Sequence, residues 1–262
     1  MSESLFGLFG VQARVIWALM MRELQTRYGR ENIGFFWLVG EPAFFAIGVT
    51  ILWSIIRSSH EHGIPIIGFT LTGYIPLLVF RHCVTRSLRA FESNGSLLYH
   101  RQVTLFDCLA ARLILEVYGA IATYILVAGT CMLVGLMNIP VDFGLFYLGW
   151  FYMILFSVGC GLILATLSEM SEAMEKIVPI FSYLYLPFSG AFTMVEWVPP
   201  KFRSVLLYSP GQNAVEMIRG GQFGQSIHPH YDIVYVTSVC VVMLLIGVSL
   251  TLRVRRYVVI GG

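Results

Sequence analysis

Between residues 177 and 195 the chain carries no Asp, Glu, Lys or Arg, and its character then changes abruptly at Glu196-Trp197-Val198-Pro199-Pro200. As a helix, the uncharged run would cross a hydrocarbon core about 30 Å thick. The two runs that follow, 201–208 and 212–223, are amphipathic, shorter, and separated by Ser209-Pro210-Gly211. Neither is long enough to span. Short helices at membrane depth persist only where protein or a water-filled cavity covers their polar backbone ends. A span running into broken helices, followed by one last span, therefore predicts a lined path across a membrane rather than a simple anchor.

The second short run has its own punctuation. Ser209 suits a cap, Pro210 the first helical position, and Gln212 completes an S-x-x-Q capping box. Gly220-Gly221 supplies a stop. Glu216 and Arg219 stand three residues apart on one face, which on a surface helix would make a solvated ion pair.

The remaining chain follows the same pattern. With 57% hydrophobic and 12% charged residues, against about 25% charged in soluble domains, it reads as an integral membrane protein. Residues 5–30 predict an interfacial helix, with Trp17, Met20, Met21, Leu24 and Tyr28 on one stripe and Arg14, Arg22, Gln25 and Arg30 opposite. A first span is expected over 33–56, containing Glu41-Pro42 near one end, where the carboxylate would face water or bond to a neighbouring helix. A short second span covers 64–80. The apolar stretch 105–140 is too long for one crossing, and its first part, with Asp107, Arg112 and Glu116, should project from the membrane or face a polar cavity. The fourth span, 143–167, carries a small-residue stripe of Ser157, Gly161 and Ala165 that admits close helix packing. The fifth is 177–195 and the sixth 233–252. The expected architecture is all-α: an amphipathic segment over 1–31, then one six-span membrane domain over 32–262, with a polar loop at 82–107 and broken helices at 196–231.

Charge gives the orientation. Thirteen of the 17 basic residues fall with the two termini and the 82–107 loop, and only Arg57, Lys201, Arg203 and Arg219 fall on the other side. Basic residues stay cytoplasmic, so both termini and the loop are expected in the cytoplasm and the broken helices outside. Arg14 and Arg22 interrupt the first apolar stretch, so no cleavable leader is indicated.

Catalytic signals are absent from the sequence. There is no G-x-x-x-x-G-K-[ST] for nucleotide phosphates, no H-E-x-x-H and no G-x-S-x-G. The cysteines, Cys83, Cys108, Cys131, Cys160 and Cys240, are scattered and read as small packing residues. His228-Pro229-His230 lacks further ligands for a metal. Intramembrane acids of the kind that relay protons are missing from spans four to six, which favours energy from a separate motor held on the 82–107 loop. Aromatic residues cluster in the membrane segments and offer flat faces to sugar rings, although interface belts and core packing use the same residues. Phe181, Tyr185, Phe188 and Phe192 would share one helical face; together with Trp37, Glu41, Arg112 and Glu116 they are the candidate path residues.

The entry segment, Arg27-Tyr28-Gly29-Arg30 through Gly34, Trp37 and Pro42, is similar to the R-Y-x-x-x-x-x-G-x-x-W-x-x-x-x-P start of the membrane subunits of type-2 ABC exporters. Residues 187–199, PFSGAFTMVEWVP, resemble the capsular polysaccharide exporters of Gram-negative bacteria, and Ser209-Pro210 with Glu216 and Arg219 matches the region before their last span. This resemblance implies a non-catalytic permease in the bacterial inner membrane. It would pair with a second copy of itself and with two P-loop subunits that bind ATP and Mg2+, and it would hold no cofactor and bind no nucleic acid. Arg86, Arg89, Phe91, Glu92 and Arg101 would contact the ATPase, with Glu172 in a smaller contact. Arg22, Arg27 and Arg30 would attract the phosphate-bearing end of a lipid-linked acidic polysaccharide, or anionic headgroups. Pro199, Pro200, Glu216 and Arg219 would form an outer gate, and a periplasmic co-polymerase and outer-membrane channel are further implied partners. Ser209-Pro210 departs from the Asn-Pro of many relatives. Other cargoes (O-antigen, teichoic acid, a small lipid or drug) fit the same class. A membrane-embedded glycan or acyl transferase using Glu41 and a histidine would need that histidine near a carboxylate, and the histidines are expected in loops. A scaffold without cargo does not account for the broken helices.

Overall fold

The computed structural model describes residues 5–28, 34–56, 60–61, 63–88, 90 and 103–258. Helix α1 (Leu5–Tyr28) is followed by α2 (Gly34–Ile56), a two-residue antiparallel hairpin of β1 (His60–Glu61) and β2 (Ile64–Pro65), and α3 (Ile66–Thr85). Then come α4 (Leu105–Leu133), α5 (Phe143–Met170), α6 (Glu172–Leu184), α7 (Pro200–Leu207), α8 (Pro210–Phe223) and α9 (Ile233–Val258). Among the described residues five helices, α2, α3, α4, α5 and α9, are long and apolar enough to cross a membrane.

Local chemistry explains where several helices begin. Thr104 and Asp107 form a reciprocal capping box at α4: the Thr104 hydroxyl accepts from the Asp107 N–H and the Asp107 carboxylate accepts from the Thr104 N–H at 2.8 Å. Asp142 caps α5 by accepting from the Leu145 N–H. Ser209 caps α8 by accepting from the Gln212 N–H, with Pro210 at the first helical position as expected.

Helices α3 and α5 form the centre. In the apolar window of α3, 83% of residues are buried, against 17% in those of α2 and α9. Helix α5 packs on α3, α8 and α9, and small residues bring the backbones together. A Cβ on Gly161 would stand 2.8 Å from the Cys83 carbonyl oxygen, so the stripe of Ser157, Gly161 and Ala165 faces α3 and α4 directly. Phe80 of α3 stacks on Phe156 of α5 at 5.3 Å and lies against Tyr185 at 4.2 Å.

Three local expectations change. The helix expected through 195 stops at Leu184 and passes into a 3-10 turn, Leu186–Phe188, then a bend at Gly190 (φ +76°) and a second turn, Val195–Trp197. Pro187 and Ser189-Gly190 explain the break, since proline removes a helical donor and glycine alone adopts positive φ cheaply. Gly220-Gly221 does not stop α8, which continues to Phe223 and ends at Gly224 (φ +57°). The paired glycines serve packing instead: a Cβ on Gly221 would lie 2.6 Å from the Phe146 Cα and 2.7 Å from the Asp142 oxygen. The face of α1 that packs on α4 is formed by Val15, Ile16 and Leu19, against Cys108 and Ala111. Trp17 points away and is exposed, which suits a helix with a second apolar face for lipid.

Candidate functional site

The polar residues of α1, α2, α3 and α4 converge at the Thr85 end of α3. Arg86 donates through Nη2 to Glu41 Oε1 at 2.6 Å and through Nη1 to Glu116 Oε2 at 3.2 Å. His82 Nδ1 lies 3.6 Å from the same Glu116 oxygen. One turn earlier on α4, Arg112 donates through Nε to Glu23 Oε1 at 2.7 Å, with Nη2 at 2.5 Å from that oxygen. Arg112 Nη1 also donates to the Arg86 and Leu88 carbonyls at 3.2 and 3.1 Å. Gln12 donates to Asp107, adding a second tie between α1 and α4. Glu23, Asp107, Arg112 and Glu116 are all buried.

The local reasons are visible. On α4, Arg112 and Glu116 are four apart and share a face. On α1, Gln12, Leu19 and Glu23 fall on the α4-facing side, at offsets of seven and eleven. In α2, Pro42 removes one backbone donor, and the neighbouring Val39 carbonyl accepts from the Thr123 hydroxyl of α4 at 3.1 Å. The network thus interlocks four helices. It contains no nucleophile with a free base, because Arg86 engages the carboxylate that His82 approaches. Its chemical capacity is mechanical: a displacement of the chain at 86–88 bears on α1, α2 and α4 through charged, geometry-limited contacts.

Helix α8 builds a second polar centre, and here the expected solvated ion pair is overturned: the helix is buried from Pro210 to Gln222. Glu216 accepts from the Val195 N–H at 2.9 Å, from Gln212 Nε2 at 3.2 Å and from the His230 N–H at 3.2 Å. The second half of the capping box does not form, since the Gln212 side chain turns to Glu216. Arg219 donates to the Thr193 and Ala191 carbonyls at 3.0 Å each and to the Phe69 carbonyl at 3.4 Å, with its guanidinium 3.8 Å over the Phe69 ring. A charge amid apolar residues is tolerated when hydrogen bonds compensate it; the broken 189–197 backbone gives acceptors to both terminal nitrogens of Arg219, while its Nε is buried without a partner. Gly73 leaves the room: a Cβ there would meet Ala191 and, at 2.5 Å, Arg219 Nη2.

The other anticipated residues separate. Tyr185 is buried and shares a hydrogen bond with the Ser209 hydroxyl at 2.8 Å, whereas Phe181 and Phe188 are exposed and Phe192 stacks on Trp53 at 5.5 Å. They do not form one face, because the helix ends at Leu184. Trp37 is exposed, Pro199 and Pro200 are exposed at the start of α7, and Glu172 is exposed in the first turn of α6. Arg22 is half-buried on α1. Arg89, Phe91, Glu92, Arg101 and Arg30, and the side chain of Arg27, lie outside the described residues. Sequence reasoning missed Glu23 and His82. The face of α1 that carries Glu23 is not the stripe of Trp17, Met20, Met21, Leu24 and Tyr28 read from the sequence, and His82 lies four residues before Arg86.

Comparison with known proteins adds an independent finding. The family model described as ABC-2 type transporter matches residues 14–223. The chain is 34% identical over 246 residues to the capsule polysaccharide export inner-membrane protein CtrC of Neisseria meningitidis serogroup B, covering 94% of this chain and 93% of that one. It is 35% identical over 237 residues to BexB of Haemophilus influenzae, a capsule polysaccharide export inner-membrane protein, covering 90% and 89%. It is 30% identical over 244 residues to the polysialic acid transport protein KpsM of Escherichia coli, covering 92% and 94%.

Proposed function

The chain belongs to the ABC-2 type transporter family, and on that premise we propose that it is the transmembrane subunit of an exporter that moves an acidic, lipid-linked capsular polysaccharide across the bacterial inner membrane. The observation that carries this reading is the near full-length similarity, on both chains of each pair, to capsule polysaccharide export inner-membrane proteins. The chain acts as a permease without catalysis of its own, and two separate P-loop subunits hydrolyse ATP with Mg2+. Two copies of the chain form the pore. The broad exposed apolar face of α2, with Phe36, Phe44 and Ile55 at 73%, 69% and 76% exposure, offers surface for the second copy as well as for lipid.

Both termini and the 82–107 loop face the cytoplasm, where Arg86, Arg89, Phe91, Glu92 and Arg101 receive the ATPase stroke and Glu172 provides the lesser contact. Arg86 belongs both to that loop and to the Glu41–Glu116 network, so the stroke reaches α2 and α4 without a long lever. Arg22, Arg27 and Arg30 hold the anionic lipid end. The 196–231 region closes the outer side and meets the periplasmic co-polymerase and outer-membrane channel.

Deletion of the gene in its own host tests the reading. The expected result is loss of surface polysaccharide with intracellular accumulation of the finished polymer, restored by the intact gene. Surface polymer at the level of the parent strain would overturn it, and accumulation of unextended precursors would favour a transferase instead.

A further inference from the structure

The buried and membrane-embedded arginines differ in what they meet. Arg112 pairs with Glu23, Arg86 with Glu41 and Glu116, and Arg219 with backbone carbonyls and a ring. Arg81 is the exception. It lies inside α3, four residues before the helix ends, yet no carboxylate among the described residues comes within ion-pairing distance. Its Nε is buried with no hydrogen-bond partner, as is that of Arg219, but Arg219 bonds through both terminal nitrogens to backbone carbonyls. The Tyr183 ring of α6 lies 4.5 Å from its guanidinium carbon. A basic residue within a membrane helix costs free energy unless a counter-charge or a function accompanies it.

Along α3 from this arginine the aromatic rings are packed into the core, Tyr74 among them. Tyr74 stands seven residues earlier on the same face of α3. Phe192 lies 6.4 Å from Tyr74, and Trp53 of α2 stacks on Phe192 at 5.5 Å. Tyr183 is 58% exposed, so the end at Arg81 is open. Guanidinium donors match carboxylate and phosphate oxygens bidentately, and they also stack on aromatic planes.

We propose that Arg81, held over Tyr183, is a binding site for the oxyanion of an acidic sugar. This inference rests on the exporter reading and deepens it: Arg81 sets the preference for acidic over neutral glycans. A phospholipid phosphate presents the same oxyanion chemistry, and the test separates the two sources.

The exporter, with its ATPase subunits, is placed in phosphatidylcholine nanodiscs and titrated with oligogalacturonate and, separately, with maltooligosaccharide. Loss of one charge-assisted bidentate contact is worth about 2 kcal/mol, roughly thirtyfold in Kd. R81Q is expected to weaken oligogalacturonate binding by that factor, R81K by a few-fold, and neither should alter maltooligosaccharide binding. R81Q should melt at or above the wild-type temperature, because an unpaired charge has left a membrane helix. Unchanged oligogalacturonate binding in R81Q overturns the proposal, as does an equal loss for both sugars or a lower melting temperature, which would make Arg81 structural. A change seen only when phosphatidylglycerol is added reassigns the arginine to a lipid headgroup and also overturns it. In cells, a wild type that exports no polymer defeats the exporter reading itself; a wild type and R81Q that export acidic polymer equally defeat only this assignment.

Discussion

Removing the carboxylate of Glu23 isolates what the network contributes. Both partners of the Glu23–Arg112 pair are buried, with side chains 9% and 7% exposed, so water cannot replace the lost acceptor. Deleting one partner of such a pair costs about 3–5 kcal/mol. Arg112 keeps two carbonyl acceptors in E23Q, which places the cost at the low end, about 3 kcal/mol. The effect concentrates on α1, which Glu23 ties to α4. Cys108 reports it, because it is buried beneath Leu19 of α1. When opening is fast relative to labelling, the rate of maleimide reaction at Cys108 follows the opening equilibrium, so about 3 kcal/mol predicts labelling roughly a hundredfold faster in E23Q. Half-buried Cys131, at the far end of α4, should label unchanged and serves as the internal control. In the double variant E23L/R112M, apolar replacement of both charges should return the rate to within about tenfold of wild type. Labelling of E23Q at the wild-type rate would refute the reasoning and leave α1 held by the apolar contacts of Val15, Ile16 and Leu19 and by the Gln12–Asp107 bond.

Other expectations follow from the same geometry. R86Q should lower polymer exported per ATP by about tenfold, the scale of a single coupling contact, while hydrolysis by the partner subunits continues; parallel phosphate-release and export assays check it, and export at the wild-type ratio would count against coupling through Glu41 and Glu116. R219K keeps the charge but loses the planar fork that reaches Thr193, Ala191 and Phe69, so stability should fall by about 2–3 kcal/mol, read as a lower melting temperature in detergent. G221A forces a methyl group against the backbone of Phe146 and Asp142 and should destabilise by about 1–3 kcal/mol or more, whereas G48A, with nothing within 4 Å of its new Cβ, should be neutral or stabilising by up to about 1 kcal/mol. Equal melting temperatures for these two alanine variants would contradict the helix packing described.

What could be read from the sequence was what short-range chemistry dictates. The uncharged runs that cross, the split at Ser209-Pro210, the cap on α8 and the small-residue stripe on α5 each depend on residues within a few positions of one another. The burial of α8 does not. Its polar residues at 212, 216 and 219 look like a wet face until Val195, Thr193, Ala191 and Phe69 arrive from elsewhere to accept or donate. The ion network was hidden for the same reason. Glu23 and Arg112 are 89 residues apart and Glu41 and Arg86 45 apart, and no periodicity in one helix names its partner in another. The break at Leu184 is a different case: its signals, Pro187 and Gly190, are local, but the lack of charge through residue 195 reads as one continuous span.

The two polar centres use opposite strategies, and the difference bears on what each can do. Around α8 the charged side chains bond to backbone of broken segments, so a carbonyl or N–H that would otherwise be orphaned at membrane depth is satisfied. Moving α8 would unmake those bonds without offering replacements, and this centre therefore holds one arrangement. At the Thr85 end of α3 the charges bond mainly to one another, across four helices. Replacing such pairs by apolar groups commonly leaves stability equal or higher, so their presence is poorly explained by stability alone. Charged pairs can, however, exchange partners among three carboxylates and two guanidinium groups with little loss of pairing, which apolar interlocking does not allow. Exchangeable contacts of this kind permit α1, α2 and α4 to repack against one another, whereas the fixed ones around α8 hold the irregular backbone of 189–197 in place.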